Sequence, residues 1–196
     1  MEKVDCKKKV ASSVVSTRLD GCSRTEGRQR ASEQADYNSG VATMIRDFKP
    51  EDFEVLWRMD QECFPPGISY SKRELGAYLR QQGVFTLVAT DKLQGEAQGF
   101  IVVQAGRTGH VITIDVSPKA RRSGVGSLLI HAAEERLRAS GAHAVGLETA
   151  VDNAAALSFY KRHGYSVVRI WPRYYSNGVD ALVLKKQLSD NTRAQE

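Results

Sequence analysis

The stretch Asp115–Ala133 reads DVSPKARRSGVGSLLIHAA, and it determines how the rest of the chain is interpreted. A short apolar strand precedes Ser117–Pro118, and apolar residues recur from Val125 onward at the spacing of an amphipathic helix. Between the strand and the helix lie two arginines and a Gly-x-Gly. Such a turn offers free backbone N–H groups and the positive end of the helix dipole to an anion.

The turn Arg121–Gly126 fits the pattern R-x-x-G-x-G. Its glycines let backbone amides approach phosphate oxygens, and its arginines add positive charge. A dinucleotide-binding fingerprint would need a third glycine at position 129, which is leucine, and a Walker A loop would need Gly-Lys-Ser/Thr. The turn therefore predicts an anion site of another class, and a plain glycine turn before a helix is the alternative.

A second pattern, GLETAVDNAAALSFYKRHGY, occupies residues 146–165. Strand alternation places Glu148 on one face with Ala144 and Gly146, which are too small to cover a carboxylate. A carboxylate that faces a ligand there can act as a general base. A solvated glutamate near a strand end is the alternative interpretation.

Tyr160 follows on the next predicted helix, among apolar residues. Its hydroxyl can donate a proton to a leaving thiolate, and the alternative is a core aromatic with a satisfied hydroxyl. The four histidines (His110, His131, His143 and His163) are expected to be structural or solvated.

Composition is that of a soluble globular protein, with 41% hydrophobic and 26% charged residues and no apolar run of membrane-spanning length. The net charge of +5 is not concentrated in one block, which argues against a nucleic-acid-binding arm. Cys6, Cys22 and Cys63 have neither metal-binding spacing nor a plausible disulfide framework. We therefore expect a cytoplasmic protein with no metal site and no membrane or direct nucleic-acid partner.

Periodicity and breakers predict the element order βααβββαβαββ within residues 43–188. Ser71 with Glu74 forms a capping box for the second helix, and Asp152 is the expected N-cap of the last one. Hairpins combined with strand–helix–strand units indicate an α/β (α+β) domain with a mixed sheet. Residues 1–42 are expected to be a disordered tail, with a regulatory or targeting arm as the alternative, and residues 189–196 a polar tail.

Together these stretches resemble the GCN5-related N-acetyltransferase (GNAT) superfamily over about residues 43–188. The R-x-x-G-x-G that follows V-S-P is similar to its acetyl-CoA motif, and L-E-x(4)-N-x(6)-Y-x(3)-G-Y is similar to its matching downstream segment. The resemblance implies the GNAT fold, with a mixed, mostly antiparallel sheet of about seven strands flanked by four helices. It also implies acetyl-CoA as the cofactor.

The resemblance gives Glu148 the role of base and Tyr160 that of acid, in direct acetyl transfer without a covalent enzyme intermediate. The amide of Val116 is expected to face the thioester oxygen, which places the reactive end of the coenzyme near Val116. The expected coenzyme contacts are Ile114, Asp115, Val116, Arg121, Arg122, Ser123, Gly124, Val125, Gly126, Ser127, Asn153 and Tyr160.

Cys63-Phe64-Pro65 after the first helix is similar to the substrate-side loop of RimI-like ribosomal-protein-alanine N-acetyltransferases and related N-terminal acetyltransferases, and Arg173-Tyr174-Tyr175 is similar to their late hairpin. Within the superfamily the chain therefore resembles these enzymes. The implied acceptor is a protein or peptide N-terminus, with a ribosomal protein as one candidate, and the enzyme is expected to be a monomer or weak homodimer. The residues expected to shape the acceptor slot are Phe64, Pro65, Tyr70, Tyr174 and Tyr175.

Two positions on the acceptor side depart from the RimI-like pattern. Ile68 stands where a second aromatic is usual, and Val179 where an acid is common. One alternative is therefore an N-acetyltransferase for a small amine (a polyamine or an aminoglycoside) or for protein lysine. A separate alternative is a non-catalytic acyl-CoA-binding module, against which the presence of both Glu148 and Tyr160 argues.

Overall fold

The computed structural model describes residues 43–64, 68–92 and 95–188. The strands are β1 Thr43–Asp47, β2 Val84–Asp91, β3 Ala97–Gln104, β4 Thr108–Val116, β5 Ala144–Ala150, β6 Ser166–Trp171 and β7 Ala181–Gln187. The helices are α1 Phe53–Cys63, α2 Lys72–Leu79, α3 Val125–Ala139 and α4 Ala154–Arg162, and short 3₁₀ turns at Pro50–Asp52 and Pro118–Ala120 precede α1 and α3. The predicted order is confirmed, while the predicted tails at 1–42 and 189–196 lie outside the described residues.

The seven strands form one sheet in the order β1-β2-β3-β4-β5-β7-β6. Only β4 and β5 run parallel, and every other neighbouring pair in the described part of the chain is antiparallel. The expected fold, a mixed and mostly antiparallel sheet with four helices, is therefore confirmed. None of the helices in the described ranges is long and apolar enough to cross a membrane.

The parallel pair β4–β5 is short, and an opening in the sheet follows it. Its register runs only from Thr108–Ala144 to His110–Gly146. Beyond those pairs the two strands are no longer paired with each other, although β4 continues to Val116. The backbone of the second half of β4 therefore faces an opening in the sheet, where another extended chain can lie against it.

Two apolar cores hold the helices on opposite faces of the sheet. On one face, α3 buries Leu129, Ile130 and Leu137 in a cluster that also contains residues of α4. On the other face, α1 and α2 bury Leu56 and Leu75. Each such side chain contributes about 1.5–3 kcal/mol by leaving water, so the sheet that carries β4 and β5 is firmly supported on both sides.

The helix starts confirm one capping prediction and correct another. Ser71 Oγ accepts from Glu74 N–H at 3.3 Å, and the Glu74 carboxylate accepts from Ser71 N–H at 2.9 Å, as the capping box predicts. The prediction that Asp152 caps α4 is wrong. Asn153 is the N-cap, and its Oδ1 accepts from Ala156 N–H at 3.0 Å. The helix begins one residue later than predicted, so the side chain directly before it makes the capping bond.

Candidate active site

The turn that joins β4 to α3 takes a conformation that its glycine permits. Gly124 has φ +90°, a left-handed value that costs glycine little, and α3 begins at the next residue. The first helical hydrogen bond runs from Leu128 N–H to the Gly124 carbonyl at 3.0 Å. The N–H groups of residues 125–127 precede that bond and point out of the helix end, as the sequence predicts.

A cavity of about 210 Å³ opens at this helix end, and we call it the arginine cavity. It brings together the predicted turn with two residues of α4 that were not predicted, Phe159 and Arg162. Its lining residues are Val116, Arg121, Arg122, Gly124, Gly126, Ser127, Phe159 and Arg162.

The arginine cavity has the chemistry of an anion site. Three guanidinium groups line it beside the free N–H groups of α3, so positive charge and hydrogen-bond donors meet in one place. A Cβ on Gly126 would come within 3.3 Å of the Phe159 ring, so a side chain there would crowd the wall of the cavity. These residues fit the diphosphate of coenzyme A.

Arg121 is fixed at the end of β4. Its Nε donates to the Val116 carbonyl at 3.3 Å, and its Nη2 lies 3.6 Å from Cys63 Sγ at the end of α1. The Cys63 thiol in turn donates to the same Val116 carbonyl at 3.4 Å. Val116 thus lies in the arginine cavity beside the phosphate-binding turn, so the reactive end of a coenzyme held there would lie farther back along β4.

A second cavity, of about 360 Å³, lies on the other side of the β4–β5 opening, and we call it the glutamate cavity. It contains Glu148 and Tyr174, which were predicted, together with residues from four other parts of the chain. Its lining residues are Gln81, Gln104, His110, Ile112, Glu148, Trp171 and Tyr174.

Glu148 is paired with a histidine in the glutamate cavity. Its Oε2 lies 2.7 Å from His110 Nε2, with 7% of the Glu148 side chain exposed and 28% of the His110 side chain. The β4–β5 register places His110 beside Gly146, two residues before Glu148 on the same face. Because Gly146 has no side chain, the imidazole reaches the carboxylate, and the pair can accept a proton and pass it toward solvent.

Tyr160 is fully buried in the core and lines neither cavity. Its ring makes edge contacts with Phe159 and Tyr165, at centroid distances of 5.2 and 5.3 Å. The nearby Tyr175 is also buried, and burial is the main cause that raises its pKa, with Tyr174, Glu148 and Tyr160 raising it further. Tyr175 therefore stays a neutral hydroxyl at physiological pH.

The predicted acceptor-side aromatics separate into two groups. Tyr174 lines the glutamate cavity and packs on Trp171 at a centroid distance of 5.3 Å. Tyr70, by contrast, is 3% exposed and packs edge-on against Tyr78 in the core between α1, α2 and the sheet, so it does not line this cavity. Phe64 is buried as well, and Pro65 lies outside the described residues.

The backbone of Tyr70 is anchored to α1. Its N–H donates to Asp60 Oδ2 at 2.6 Å, and its carbonyl accepts from Trp57 Nε1 at 3.1 Å and Gln61 Nε2 at 2.8 Å. Tyr70 thus holds the segment that follows α1 in place, while its ring belongs to the core.

The remaining predicted coenzyme contacts on β4 are interior. Ile114 and Asp115 are fully buried, so only their backbone groups can meet a ligand. Burial raises the pKa of the Asp115 carboxyl well above its usual range, and the Asp60 carboxylate raises it further. The hydroxyl of Thr113 donates to Asp115 Oδ1 at 3.1 Å. Asp115 therefore supports β4 from inside through its bond to Thr113.

Several lining residues escaped the sequence analysis, and His110, Trp171 and Arg162 are the polar or aromatic ones that matter most to the proposed chemistry. Each sits on a different element from the motif it joins, so strand pairing and helix packing bring them in. His110 had been grouped with structural or solvated histidines, and only the β4–β5 register reveals its partner. In the described part of the chain, no group of three or more His, Cys, Asp or Glu side chains could hold a metal ion.

The model of the acetyltransferase (GNAT) family matches residues 52–165. An N-alpha-acetyltransferase of Sulfurisphaera tokodaii is 26% identical over 170 residues, covering 80% of this chain and 99% of that protein. Ard1 from Thermoplasma volcanium has a similar crystal structure, with TM-score 0.70, 29% identity and coverage of 76% of this chain and 100% of that one. The ribosomal-protein-S18-alanine N-acetyltransferase from Escherichia coli shares the fold, with TM-score 0.68, 20% identity and coverage of 79% and 99%.

The family match covers the turn of the arginine cavity as well as Glu148 and Tyr160. It confirms the resemblance seen in the sequence, and with it the reaction class: this is an N-acetyltransferase whose cofactor is acetyl-CoA. The chain belongs to the acetyltransferase (GNAT) family.

Proposed function

We propose that this enzyme acetylates the α-amino group of protein N-termini, with coenzyme A in the arginine cavity and the amine in the glutamate cavity. The observation that carries the proposal is the Glu148–His110 pair, a proton-accepting group across the β4–β5 opening from an anion site. The relative from Sulfurisphaera tokodaii, whose name is N-alpha-acetyltransferase, supports the choice of acceptor.

Coenzyme binding uses the two features that surround the opening. Arg121, Arg122 and Arg162, with the N–H groups at the start of α3, hold the diphosphate. The unpaired half of β4 offers its backbone to the pantetheine arm. Acetyl-CoA supplies the acetyl group as an activated thioester.

The thioester of acetyl-CoA lies between the two cavities in this proposal, rather than beside Val116. From Val116 back to His110, β4 spans roughly 20 Å at about 3.3 Å per residue. A coenzyme whose diphosphate lies at Val116 therefore directs its arm along β4 toward Glu148. This placement replaces the expectation that the thioester lies beside Val116.

The acceptor arrives as an ammonium group, because the pKa of an α-amine is about 7.7–8.0, and it must lose a proton before it attacks. Glu148 accepts that proton, and His110, which is partly exposed, passes it to solvent. The amine nitrogen then forms a bond to the acetyl carbon while the carbon–sulfur bond breaks. The nitrogen gives up its second proton to become an amide, and that proton restores the Tyr160 hydroxyl after the hydroxyl has protonated the departing sulfur. General base assistance of this kind contributes about 10²–10⁴-fold to the rate.

Tyr160 donates a proton to the departing sulfur in this proposal. Because Tyr160 is fully buried, the sulfur must enter the β4–β5 opening deeply enough to reach the hydroxyl. Asn153 at the start of α4 is the proposed side-chain contact to the coenzyme, in addition to its capping bond.

Trp171 and Tyr174 give the acceptor its selectivity in this proposal. Their packed rings form an apolar wall beside Glu148, which suits the first side chains of a peptide better than a polycationic small amine. The acceptor is accordingly a protein N-terminus in the cytoplasm, with a ribosomal protein as one candidate, and the enzyme acts as a monomer or weak homodimer.

The test is to incubate the purified enzyme with acetyl-CoA and a panel of peptides, polyamines, aminoglycosides and lysine-containing peptides with blocked N-termini. Mass spectrometry then locates the acetyl group. We expect acetyl on the α-amine of unblocked peptides. Acetylation confined to lysine side chains or small amines would contradict the acceptor, and absence of any transfer with intact coenzyme binding would indicate a non-catalytic acyl-CoA-binding module.

A further inference from the structure

A chain of three polar side chains leads away from the arginine cavity. Ser127, which lines the cavity, has its Oγ 3.0 Å from His163 Nε2. The other ring nitrogen of His163, Nδ1, lies 3.2 Å from His131 Nε2. We call this set the Ser127–His163–His131 chain, and it joins the start of α3 to the end of α4.

The direction of these hydrogen bonds determines whether the Ser127 hydroxyl hydrogen points into the cavity or toward His163. If His163 Nε2 carries no proton, the Ser127 hydroxyl donates to it, and the hydroxyl hydrogen points away from a ligand. If His163 Nε2 carries a proton, it donates to Ser127 Oγ, and the hydroxyl hydrogen is available to the cavity. Only the second arrangement lets Ser127 donate to an anion.

The charges around His163 favour the neutral ring when the cavity holds no anion. Burial is the main cause that lowers the pKa of His163, and His131 on α3 lowers it further. Lys186 on β7 and Arg162 on α4 also lower it, whereas Glu134 on α3 raises it. An anion in the cavity would add negative charge at the Ser127 end and oppose the three cationic influences.

The Phe159 ring restricts the orientation of the His163 imidazole. It lines the cavity and also packs against the imidazole of His163, at a centroid distance of 4.5 Å. The histidine therefore has little freedom to turn away from Ser127, and a change in its protonation state is passed to the serine hydroxyl.

We propose that His163 is a positioning residue for the coenzyme: in the empty cavity its single proton is on Nδ1 and is donated to His131 Nε2, and as the diphosphate binds the ring takes up a second proton on Nε2, which turns the Ser127 hydroxyl toward the diphosphate. The inference rests on the coenzyme placement proposed above. It predicts that coenzyme binds more tightly at low pH and that its affinity falls as the pH rises through the pKa of His163 in the complex. A pKa rise of one unit on binding corresponds to an affinity change of about tenfold.

The experiment is isothermal titration calorimetry with dephospho-coenzyme A. This ligand keeps the diphosphate but lacks the phosphate monoester, whose own pKa of about 6 would add protons to the measurement. Titrations at one pH in buffers of different ionisation enthalpy give the number of protons taken up per ligand bound. The variants are His163→Gln, Ser127→Ala and, as the matched control, His143→Gln, since His143 is exposed in a turn remote from the cavity.

The expected result is proton uptake by the unmodified enzyme and by His143→Gln between pH 6 and 7.5, and its loss in His163→Gln. Glutamine can still donate to Ser127 but cannot titrate, so His163→Gln should bind with an affinity that is independent of pH. Equal proton uptake in His163→Gln, or none in the unmodified enzyme, would overturn the inference. If His163→Gln does not fold, reduced uptake in Ser127→Ala supports the inference, and unchanged uptake there overturns it.

One further variant separates this inference from the placement on which it depends. Arg121→Ala should weaken binding of the same ligand about tenfold or more if the diphosphate lies in the arginine cavity. Weakened binding there without proton uptake in the unmodified enzyme would contradict only the role of His163. Unchanged binding in Arg121→Ala would contradict the coenzyme placement itself.

Discussion

The arginine cavity and the glutamate cavity lie on the same strand, β4, but they are assembled in different ways. Most of the arginine cavity comes from one continuous stretch, residues 116–127, and α4 adds one wall. The glutamate cavity draws its lining from the segment after α2, from β3, β4, β5 and the end of β6, and from the loop beyond. The first is a local structure, and the second exists only when the sheet has formed.

The local cavity and the long-range cavity suit two different chemical tasks. A diphosphate is recognised by backbone N–H groups and guanidinium charge, which a short turn can supply by itself. Acceptor choice and proton removal depend on how side chains from distant strands meet. The binding of the coenzyme should therefore respond to changes in the turn, and turnover should respond to changes around Glu148.

The largest effect is expected for Glu148→Gln. The amide keeps the size of the side chain but cannot accept a proton, so kcat should fall about 10²–10⁴-fold at neutral pH. Activity should recover partly as the pH rises, because more of the amine is then already deprotonated. Rates measured from pH 6.5 to 9.5 test this, with Glu135→Gln on the exposed side of α3 as the control. A defect of equal size at every pH would assign Glu148 to positioning.

Tyr160→Phe is expected to have the next largest effect. It removes only the hydroxyl, so turnover should fall about 10²-fold while acetyl-CoA binding stays nearly intact. Steady-state kinetics together with calorimetric coenzyme affinity separate the two quantities. Unchanged turnover would remove Tyr160 from the chemistry and make Tyr175, a second buried tyrosine, the next side chain to test.

Arg121→Ala should affect coenzyme binding more than turnover. Loss of a charged hydrogen-bond donor should raise the KM for acetyl-CoA about tenfold or more, with a smaller change in kcat. Arg169→Ala is the matched control, because Arg169 is exposed on the edge strand β6. If Arg121→Ala lowered kcat alone, the separation between a binding cavity and a reaction cavity would fail.

The smallest effect concerns the start of α4, the helix that adds one wall to the arginine cavity. Asn153→Ala removes the capping bond to Ala156 and should lower the free energy of unfolding by about 1 kcal/mol. Asp152→Ala should change it by less than about 0.5 kcal/mol, because Asp152 does not cap the helix. Urea unfolding of both variants measures the difference. Equal losses would indicate that Asp152 shares the capping role.

The same division explains what the sequence could predict. The order of elements and the helix start after Gly124 follow from local periodicity, breakers and glycine placement, and the structure agrees with both predictions. That the turn binds an anion stays a prediction. The pairing of His110 with Glu148 depends on the β4–β5 register, and the contribution of Trp171 on where β6 ends beside β7. The burial of Tyr70 depends on how α1 and α2 close over the sheet. Such long-range contacts leave no periodic signal in a single sequence.

One measurement tests the central claim, that the two cavities hold the two halves of one reacting pair. A conjugate that joins coenzyme A through its sulfur to the α-amine of a substrate peptide can be titrated into the enzyme. If both halves bind at once, the conjugate should bind at least about 10²-fold more tightly than either half alone. Trp171→Ala should weaken the conjugate while leaving coenzyme A unaffected, and Arg121→Ala should weaken both. A conjugate that binds no better than coenzyme A, with an affinity unchanged by Trp171→Ala, would contradict the account.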